Sequence, residues 1–470
     1  MTDQALLDQL LASLPAFLTR QRWFARAEGA EEGELPRVVL VDHQELAKGP
    51  PGLLWLVVDA DGSTYQVLVG TRPDTEAAEL VAGNDDALVA PVDGSFGRAL
   101  AYEATLDPEL NRILLEVASD GRVRSGRVRP VGAEQSNTSL VFDDKLIVKF
   151  FRRLRRGRNP DVEVTLALDE VGFNHIAAPF VVWSRGDWDL AFVQQYLAGG
   201  TEGWTLALTS LRDLYAASVD SRAPEGLAAP PQLGRTEGAE AELPRPETAG
   251  GDFGSESRRI GMVAGRMHLA LAEAFGAEPG DAAEWAAAVE RDLDGLAAEG
   301  LAPEAARAVT QRLRGCEELG AAIRVHGDFH LGQVMRTDVG WFVLDFEGEP
   351  ARTVEERAKH WSPLKDVAGM VRSFQYSAAV GLDERDPTEQ DVTLKELARA
   401  WEWHNREAFL QGYLATPGIE AIVPADPAAF DAVLAAYELQ KAAYELAYER
   451  AYRPDWVHIP RAALERLLAG

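Results

Sequence analysis

The sequence predicts an α+β protein of two lobes, a strand-rich one first and a mainly helical one after it, with a small extra subdomain in front. Short apolar runs bounded by Gly, Pro or Asp recur through roughly the first 200 residues, which is the pattern of strands and hairpins. From about residue 204 the apolar spacing becomes helical. A chain of 470 residues is too long for one core, so two or three subdomains are expected.

Residues 1–90 open with a helix, about Gln4 to Thr19, and continue with strand-like runs at Leu35 to Glu45, Gly52 to Asp59 and Tyr65 to Val69. Arg22-Trp23-Phe24 is expected to staple the core of this small α+β unit. Residues 91–200 are again strand-rich. Their clearest element is Leu140-Val141-Phe142, the turn Asp143-Asp144-Lys145, and the apolar run Leu146 to Phe151, which together make a hairpin. Lys149 then sits inside a strand between apolar neighbours, where an ammonium needs an anionic partner, and a phosphate would serve. Just before the hairpin runs the polar turn Gly132 to Ser139, where Ser136, Asn137 and Thr138 with their backbone amides can form a nest for phosphates. After it, Asn159-Pro160-Asp161-Val162-Glu163 places a proline at a helix start. Glu163, in the first turn, is the candidate to orient Lys149, and a plain helix N-terminal carboxylate is the alternative. Ala191 to Leu197 is another buried strand, followed by Ala198-Gly199-Gly200 where the chain passes to the helical part. Residues 201–470 are helical apart from 223–254, a Pro-, Gly-, Glu- and Ala-rich stretch expected as a mobile insertion. His268, between Met267 and Leu269 in a helix, is expected to be a core residue.

The net charge of −28 and pI near 4.7 repel phosphate backbones and anionic lipid, which argues against nucleic acid and membrane surfaces as partners. A small neutral acceptor is easier to reconcile with that field. One cysteine, Cys316, leaves no intrachain disulfide and no cysteine-based metal cluster, which fits a reducing cytoplasm. The acidic start Met1-Thr2-Asp3 and the amphipathic segment after it are unlike a secretion signal.

The densest chemistry lies in Val325-His326-Gly327-Asp328-Phe329-His330-Leu331-Gly332-Gln333, followed by Val343-Leu344-Asp345-Phe346-Glu347. A loop carboxylate, an amide five residues on and a second carboxylate at the end of the next apolar strand are set out as in kinase-like phosphoryl transfer. Gly327 permits a tight loop from which Asp328 would orient an acceptor hydroxyl and take its proton. Gln333 and Asp345 would offer oxygen to Mg²⁺, a hard cation that accompanies ATP. On the last long helix Lys441, Tyr444, Tyr448 and Tyr452 recur at steps of three and four and so share one face. Phenol rings and an ammonium on one face suit a sugar, as a stacking surface with hydrogen-bond donors, and also suit an ordinary core.

His326 to Gln333, Asp345-Phe-Glu-Gly-Glu-Pro350 and Ser362-Pro-Leu-Lys-Asp-Val-Ala-Gly-Met-Val-Arg-Ser-Phe374 resemble the bacterial maltokinases. So do Arg20-Gln-Arg-Trp-Phe24, Glu438 to Glu449 and Arg453-Pro-Asp-Trp456, so the resemblance spans nearly the whole chain. It implies the fold of the aminoglycoside-phosphotransferase-like and eukaryotic-type kinases, with residues 1–90 as an N-terminal cap, 91–200 as the nucleotide-binding lobe and 201–470 as the catalytic and sugar-binding lobe. It implies transfer of the γ-phosphate of ATP to the anomeric hydroxyl of maltose, giving maltose 1-phosphate for α-glucan and glycogen synthesis. It implies that Lys441, Tyr444 and Tyr448 belong to the acceptor pocket. Glutamine at Gln333 is the maltokinase form of a position that is asparagine in most relatives with other acceptors. A functional link to trehalose synthase goes with that family, with monomer and homodimer both open. Gln375 and Gln440 stand where the family carries carboxylates, which leaves a second reading, a kinase of the same fold acting on glucosamine. Glu402 and Glu438 are then the acids for its ammonium. A third reading, an inactive nucleotide-binding regulator, is opposed by the intact set Lys149, Asp328, Gln333 and Asp345. Asp366 and Arg372 are expected to serve structure by pairing or capping helices.

Overall fold

The computed structural model describes residues 4–26, 33–94, 97–132, 136–220, 252–294, 300–349, 352–385 and 392–469, so the insertion expected at 223–254 lies, but for its last three residues, outside the described residues. The chain divides into two units, Met1–Glu163 with Ala177–Ala198, and Val164–Ile176 with Gly199–Gly470.

In the first unit, helix α1 (Gln4–Leu18) forms on a leucine pattern: Leu7, Leu10, Leu14, Phe17 and Leu18 fall at helical spacing and are all buried. They lie on a sheet of β1 (Val38–Ala47), β2 (Gly52–Ala60), β3 (Ser63–Pro73), β4 (Leu88–Gly94) and β5 (Gly97–Glu103), in the order β1-β2-β3-β5-β4. A boundary expected near residue 90 falls inside β4, because the β4–β5 hairpin continues the first sheet to Glu103. Helices α2 (Asp74–Val81) and α3 (Pro108–Ala118) complete this part, the latter capped by Asp107, whose side chain accepts from Glu109 N.

A second antiparallel sheet runs β10-β11-β8-β7-β6, from β6 (Val128–Pro130), β7 (Asn137–Phe142), β8 (Leu146–Phe151), β10 (Pro179–Arg185) and β11 (Trp188–Gln195). β7 and β8 form the hairpin read from the sequence, and Asp143 and Asp144 take φ of 51° and 53°, the left-handed conformation a primed turn requires. The two-residue β9 (Arg153–Leu154) pairs with β3 and so extends the second sheet's chain into the first. Gln66 stitches the sheets together: it is fully buried, its amide NH₂ donates to the carbonyls of Phe151 and Leu190, both at 3.0 Å, and its carbonyl accepts from Trp55 Nε1 at 2.8 Å. Helix α4 (Pro160–Glu170), opened by proline as expected, carries the chain from the first unit into the second.

The second unit is mainly helical: α5 (Gly203–Asp220), α6 (Gly254–Phe275), α7 (Ala282–Leu293), α8 (Pro303–Arg314), α9 (Val354–Ala358), α10 (Leu364–Asp383), α11 (Val392–Leu414), α12 (Pro427–Tyr452) and α13 (His458–Leu468). Two small sheets sit among them, one of β12 (Thr201–Glu202), β15 (Val334–Thr337) and β16 (Gly340–Val343), the other of β13 (Ala277–Pro279), β14 (Ala321–Arg324) and β17 (His360–Trp361). α10 is the axis of the core, with all its residues from Val367 to Phe374 buried. Among the described residues no helix is long and apolar enough to cross a membrane.

Gln66→Leu removes all three of its buried hydrogen bonds and leaves two carbonyls and an indole N–H unpaired. Thermal unfolding should show a loss of roughly 3 kcal/mol, since stranding a buried polar group costs about 1–3 kcal/mol; an unchanged melting temperature would contradict this role.

Candidate active site

The segment after β14 is held by one buried carboxylate. Asp366, in the first turn of α10, is 1 % exposed; its Oδ2 accepts from His326 N at 2.7 Å and its Oδ1 from Gly327 N at 2.9 Å. Its Oδ2 also lies 3.1 Å from His268 Nε2, and His268 Nδ1 lies 2.9 Å from the Tyr413 hydroxyl, which sets Nε2 as the protonated nitrogen. Burial alone would raise the Asp366 carboxyl, but the His268 hydrogen bond, neighbouring imidazoles and the Gly327 amide outweigh it and hold it below the usual range. Gly327 has φ of 85°, a turn that L side chains rarely adopt. At Gly369 any side chain would meet the Phe329 carbonyl, with a Cβ only 2.6 Å from that oxygen, so α10 can approach the loop only through glycine.

His326 links this loop to the strand that precedes the second carboxylate. Its Nε2–H donates to Leu344 O at 2.9 Å while its Nδ1 accepts from Asp328 N at 3.3 Å. Asp345 follows with φ of 60°, an uncommon conformation tolerated by aspartate. Gln333, in the turn Leu331–Gln333, brings its amide Nε2 to 3.4 Å from Asp345 Oδ2, and half a rotation of the amide would put Oε1 in that place. An amide oxygen beside a carboxylate is the donor set that a hard cation such as Mg²⁺ takes.

Asp328 projects into a cavity shared with Glu349, Arg352, Lys365, Lys441 and Tyr444. Lys441 Nζ, from α12, stands 3.0 Å from Asp328 Oδ1 and 2.8 Å from Glu349 Oε1. His330 Nε2 is 3.8 Å from Asp328 Oδ2. Burial would push the Asp328 carboxyl up, yet the Lys441 ammonium and His330 hold it well below the usual carboxylate range. Glu349 is likewise held low against its burial by Lys441 and Lys365. Lys441 is pushed well up by those two carboxylates despite burial, whereas burial brings Lys365 down. The Lys365 ammonium lies 4.9 Å over the Trp361 ring and makes no ion pair or hydrogen bond among the described residues. Arg352 pairs with Asp292 and lies 3.4 Å from Glu349 Oε2. Burial and Glu349 push the Tyr444 hydroxyl up to about 12, so it is a hydrogen-bond donor at neutral pH.

In the first unit, Lys149 Nζ lies 3.2 Å from Asp161 Oδ2, both side chains largely buried, in the strand position expected for it. Glu163, two residues on, is exposed in the same helix turn. Ser136 precedes β7, and Asn137 and Thr138 begin it, pairing with Phe151 and Phe150.

Comparison with known proteins places this architecture. Residues 17–107 match the family described as the maltokinase N-terminal cap domain. The chain is 28 % identical over 357 residues to a glucosamine kinase of Mycolicibacterium smegmatis, covering 72 % of this chain and 79 % of that one. It is 28 % identical over 358 residues to a glucosamine kinase of Streptacidiphilus jiangxiensis, covering 72 % and 73 %. A solved glucosamine kinase in complex with glucosamine, ADP and inorganic phosphate superposes with a TM-score of 0.61 at 22 % identity, covering 100 % of both chains. The chain is a maltokinase-like protein. Its fold is the capped, kinase-like α+β fold expected from the sequence.

The structure brings Asp328, Lys441 and Tyr444 into one cavity and Gln333 beside Asp345. Tyr448 does not line that cavity; it is 37 % exposed and lies nearly parallel to Tyr444, with ring centroids 6.3 Å apart. Glu349, Lys365 and Arg352 line the cavity and were not singled out from the sequence. Glu349 is the second glutamate of the Asp345-Phe-Glu-Gly-Glu run and Lys365 adjoins Asp366, so their position inside the family motifs could have marked them; Arg352 lies two residues beyond the first of those motifs, where nothing marks it. The two acids suggested for an amino sugar are already committed. Glu438 is paired with Arg406 at 2.6 and 2.8 Å, and Glu402 with Arg466 at 2.8 and 3.2 Å.

Removing the ammonium beside Asp328 should move a titration. Because its folded pKa is depressed, Asp328 contributes stability above its unfolded pKa of about 3.9, and that contribution is lost as pH falls through the lower folded value. Lys441→Met leaves burial less opposed, so the acid limb of the kcat/KM profile should move to higher pH. An acid limb at the wild-type position would contradict this role for Lys441.

Proposed function

We propose that this protein transfers the γ-phosphate of ATP to the anomeric hydroxyl of maltose, giving maltose 1-phosphate that feeds α-glucan and glycogen synthesis. One observation carries the reading: a carboxylate kept ionised, Asp328, faces a cavity lined by hydrogen-bonding side chains, on a loop braced from three sides. In the reaction the acceptor oxygen bonds to phosphorus, the bond from phosphorus to the ADP oxygen breaks, and the hydroxyl proton passes to Asp328. Lys441, Glu349 and Tyr444 orient the sugar, with Tyr448 at its outer edge. In the first unit Lys149, oriented by Asp161 and Glu163, binds the phosphates together with Ser136, Asn137 and Thr138. Gln333 and Asp345 would hold Mg²⁺, which when bound neutralises phosphate charge.

The maltokinase cap supports maltose as acceptor. So does the pairing in the cavity, where Asp328 and Glu349 are both already engaged by Lys441 and leave no spare acid for an acceptor bearing its own ammonium. Glucosamine is the second reading, because the relatives named above are glucosamine kinases. On that reading Asp328 and Glu349 would have to release Lys441 to receive the substrate amine.

Maltose, glucose and glucosamine should be offered side by side with MgATP, and the product followed by ³¹P NMR. Maltose should give an anomeric phosphate with the highest kcat/KM; phosphorylation of glucosamine without maltose would overturn the acceptor assignment. Asp328→Asn should lower kcat by about 10²–10⁴-fold while MgADP binding stays near wild type.

A further inference from the structure

One arginine, buried inside the first unit, joins the cap to the polar start of β7. Arg152 is 0 % exposed, and its Nε–H donates to Thr138 Oγ1 at 2.8 Å. Its Nη2 donates to Glu103 Oε1 at 2.7 Å, and its guanidinium carbon stands 5.1 Å from the centre of the Trp23 ring. Glu103 closes β5 and also accepts from the Thr105 hydroxyl at 2.9 Å. Trp23 is packed in turn against Phe17 and Tyr65, with ring centroids 6.5 and 6.0 Å away. Glu103 and Trp23 both belong to the segment 17–107 that matches the maltokinase cap. Thr138 does not; it is the third polar residue of the run Ser136-Asn137-Thr138.

A buried guanidinium is a poor source of stability, because desolvation offsets most of what pairing returns. Here the pairing is incomplete as well. Arg152 Nη1 and Glu103 Oε2 are both buried and have no hydrogen-bond partner among the described residues. An apolar side chain would fill the same space at lower cost, so the arginine is better explained by what its Nε–H holds in place.

We propose that the cap positions the nucleotide-phosphate loop: Trp23 and Glu103 fix Arg152, and Arg152 fixes Thr138, so cap residues set nucleotide affinity. Arg152 is then a positioning residue. This rests on the reading that Ser136 to Thr138 contact nucleotide phosphates, and it gives the cap a task in the reaction cycle.

The test uses the full chain, with MgADP binding read by calorimetry and folding read by melting temperature. Trp23→Leu, Glu103→Gln and Thr138→Val should each weaken MgADP binding about tenfold, the loss expected for one cation–π contact or one charge-assisted hydrogen bond. The double variant W23L/T138V should bind within about twofold of T138V alone, because both act through the same arginine. Should Trp23→Leu fold poorly, the isosteric Glu103→Gln gives the same readout, and Trp23→Phe should restore binding. If Thr138→Val and Asn137→Ala weaken MgADP while the cap variants bind like wild type, or if the losses add in full, the brace is overturned and the loop reading stands. If neither loop variant weakens MgADP, the loop reading fails and the brace falls with it.

Discussion

The carboxylate of Asp366 is the constraint on which the site depends. It accepts from two successive backbone amides, His326 and Gly327, and from His268, so it fixes both where the loop leaves β14 and how it turns. A charged acceptor buried among donors is far stronger than one in water, and the same burial would be prohibitive if a donor were missing. Asp328 is aimed by this arrangement, since its own backbone N–H returns to His326. The second carboxylate is aimed by the same ring, because His326 donates to the carbonyl just before Asp345. One buried acid thus sets Asp328 directly and Asp345 at one remove.

Charge in the cavity follows a second rule. Asp328 and Glu349 share one ammonium, and that ammonium is held by both. Each member shifts the others in the direction that keeps all three charged, which is how buried ions persist. Lys365 enters this balance only at longer range, helping to hold Glu349 low without pairing with it. Its charge sits in the first turn of α10, where the helix dipole opposes a cation, and it rests on an indole ring with no ion pair among the described residues.

The sequence made one class of residue legible and hid another. Asp328, Gln333 and Asp345 could be read because their spacing lies within one loop and hairpin, where chain geometry alone brings them together. Lys441 and Tyr444 could be read as sharing a helix face, and their meeting with Asp328 came only from family resemblance. His268 was expected in the core, and it is fully buried there, but its bond to Asp366 joins residues 98 positions apart. Asp161 beside Lys149, Glu349 beside Lys441 and Trp23 over Arg152 share this cause. Such pairs arise from packing between elements, and no periodicity within either element records the partner.

The two glutamines that depart from the maltokinase pattern gain a physical reading from their neighbours. Gln440 donates its amide to Asp292 Oδ2 at 2.7 Å, a bond that a carboxylate at that position could not make and would replace with repulsion. Asp292 in turn pairs with Arg352, which reaches Glu349, so the amide fits a chain of alternating acceptor and donor that ends at the cavity. Gln375 accepts from Arg372, whose Nε also donates to Glu445 at 3.1 Å, so that arginine keeps one full negative partner instead of two. Gln440, which lines the cavity beside Lys441, adds no negative charge there, while Glu349 and Asp328 stay bound to Lys441. The cavity is therefore left without a spare acid, the electrostatic condition under which a neutral ligand competes best.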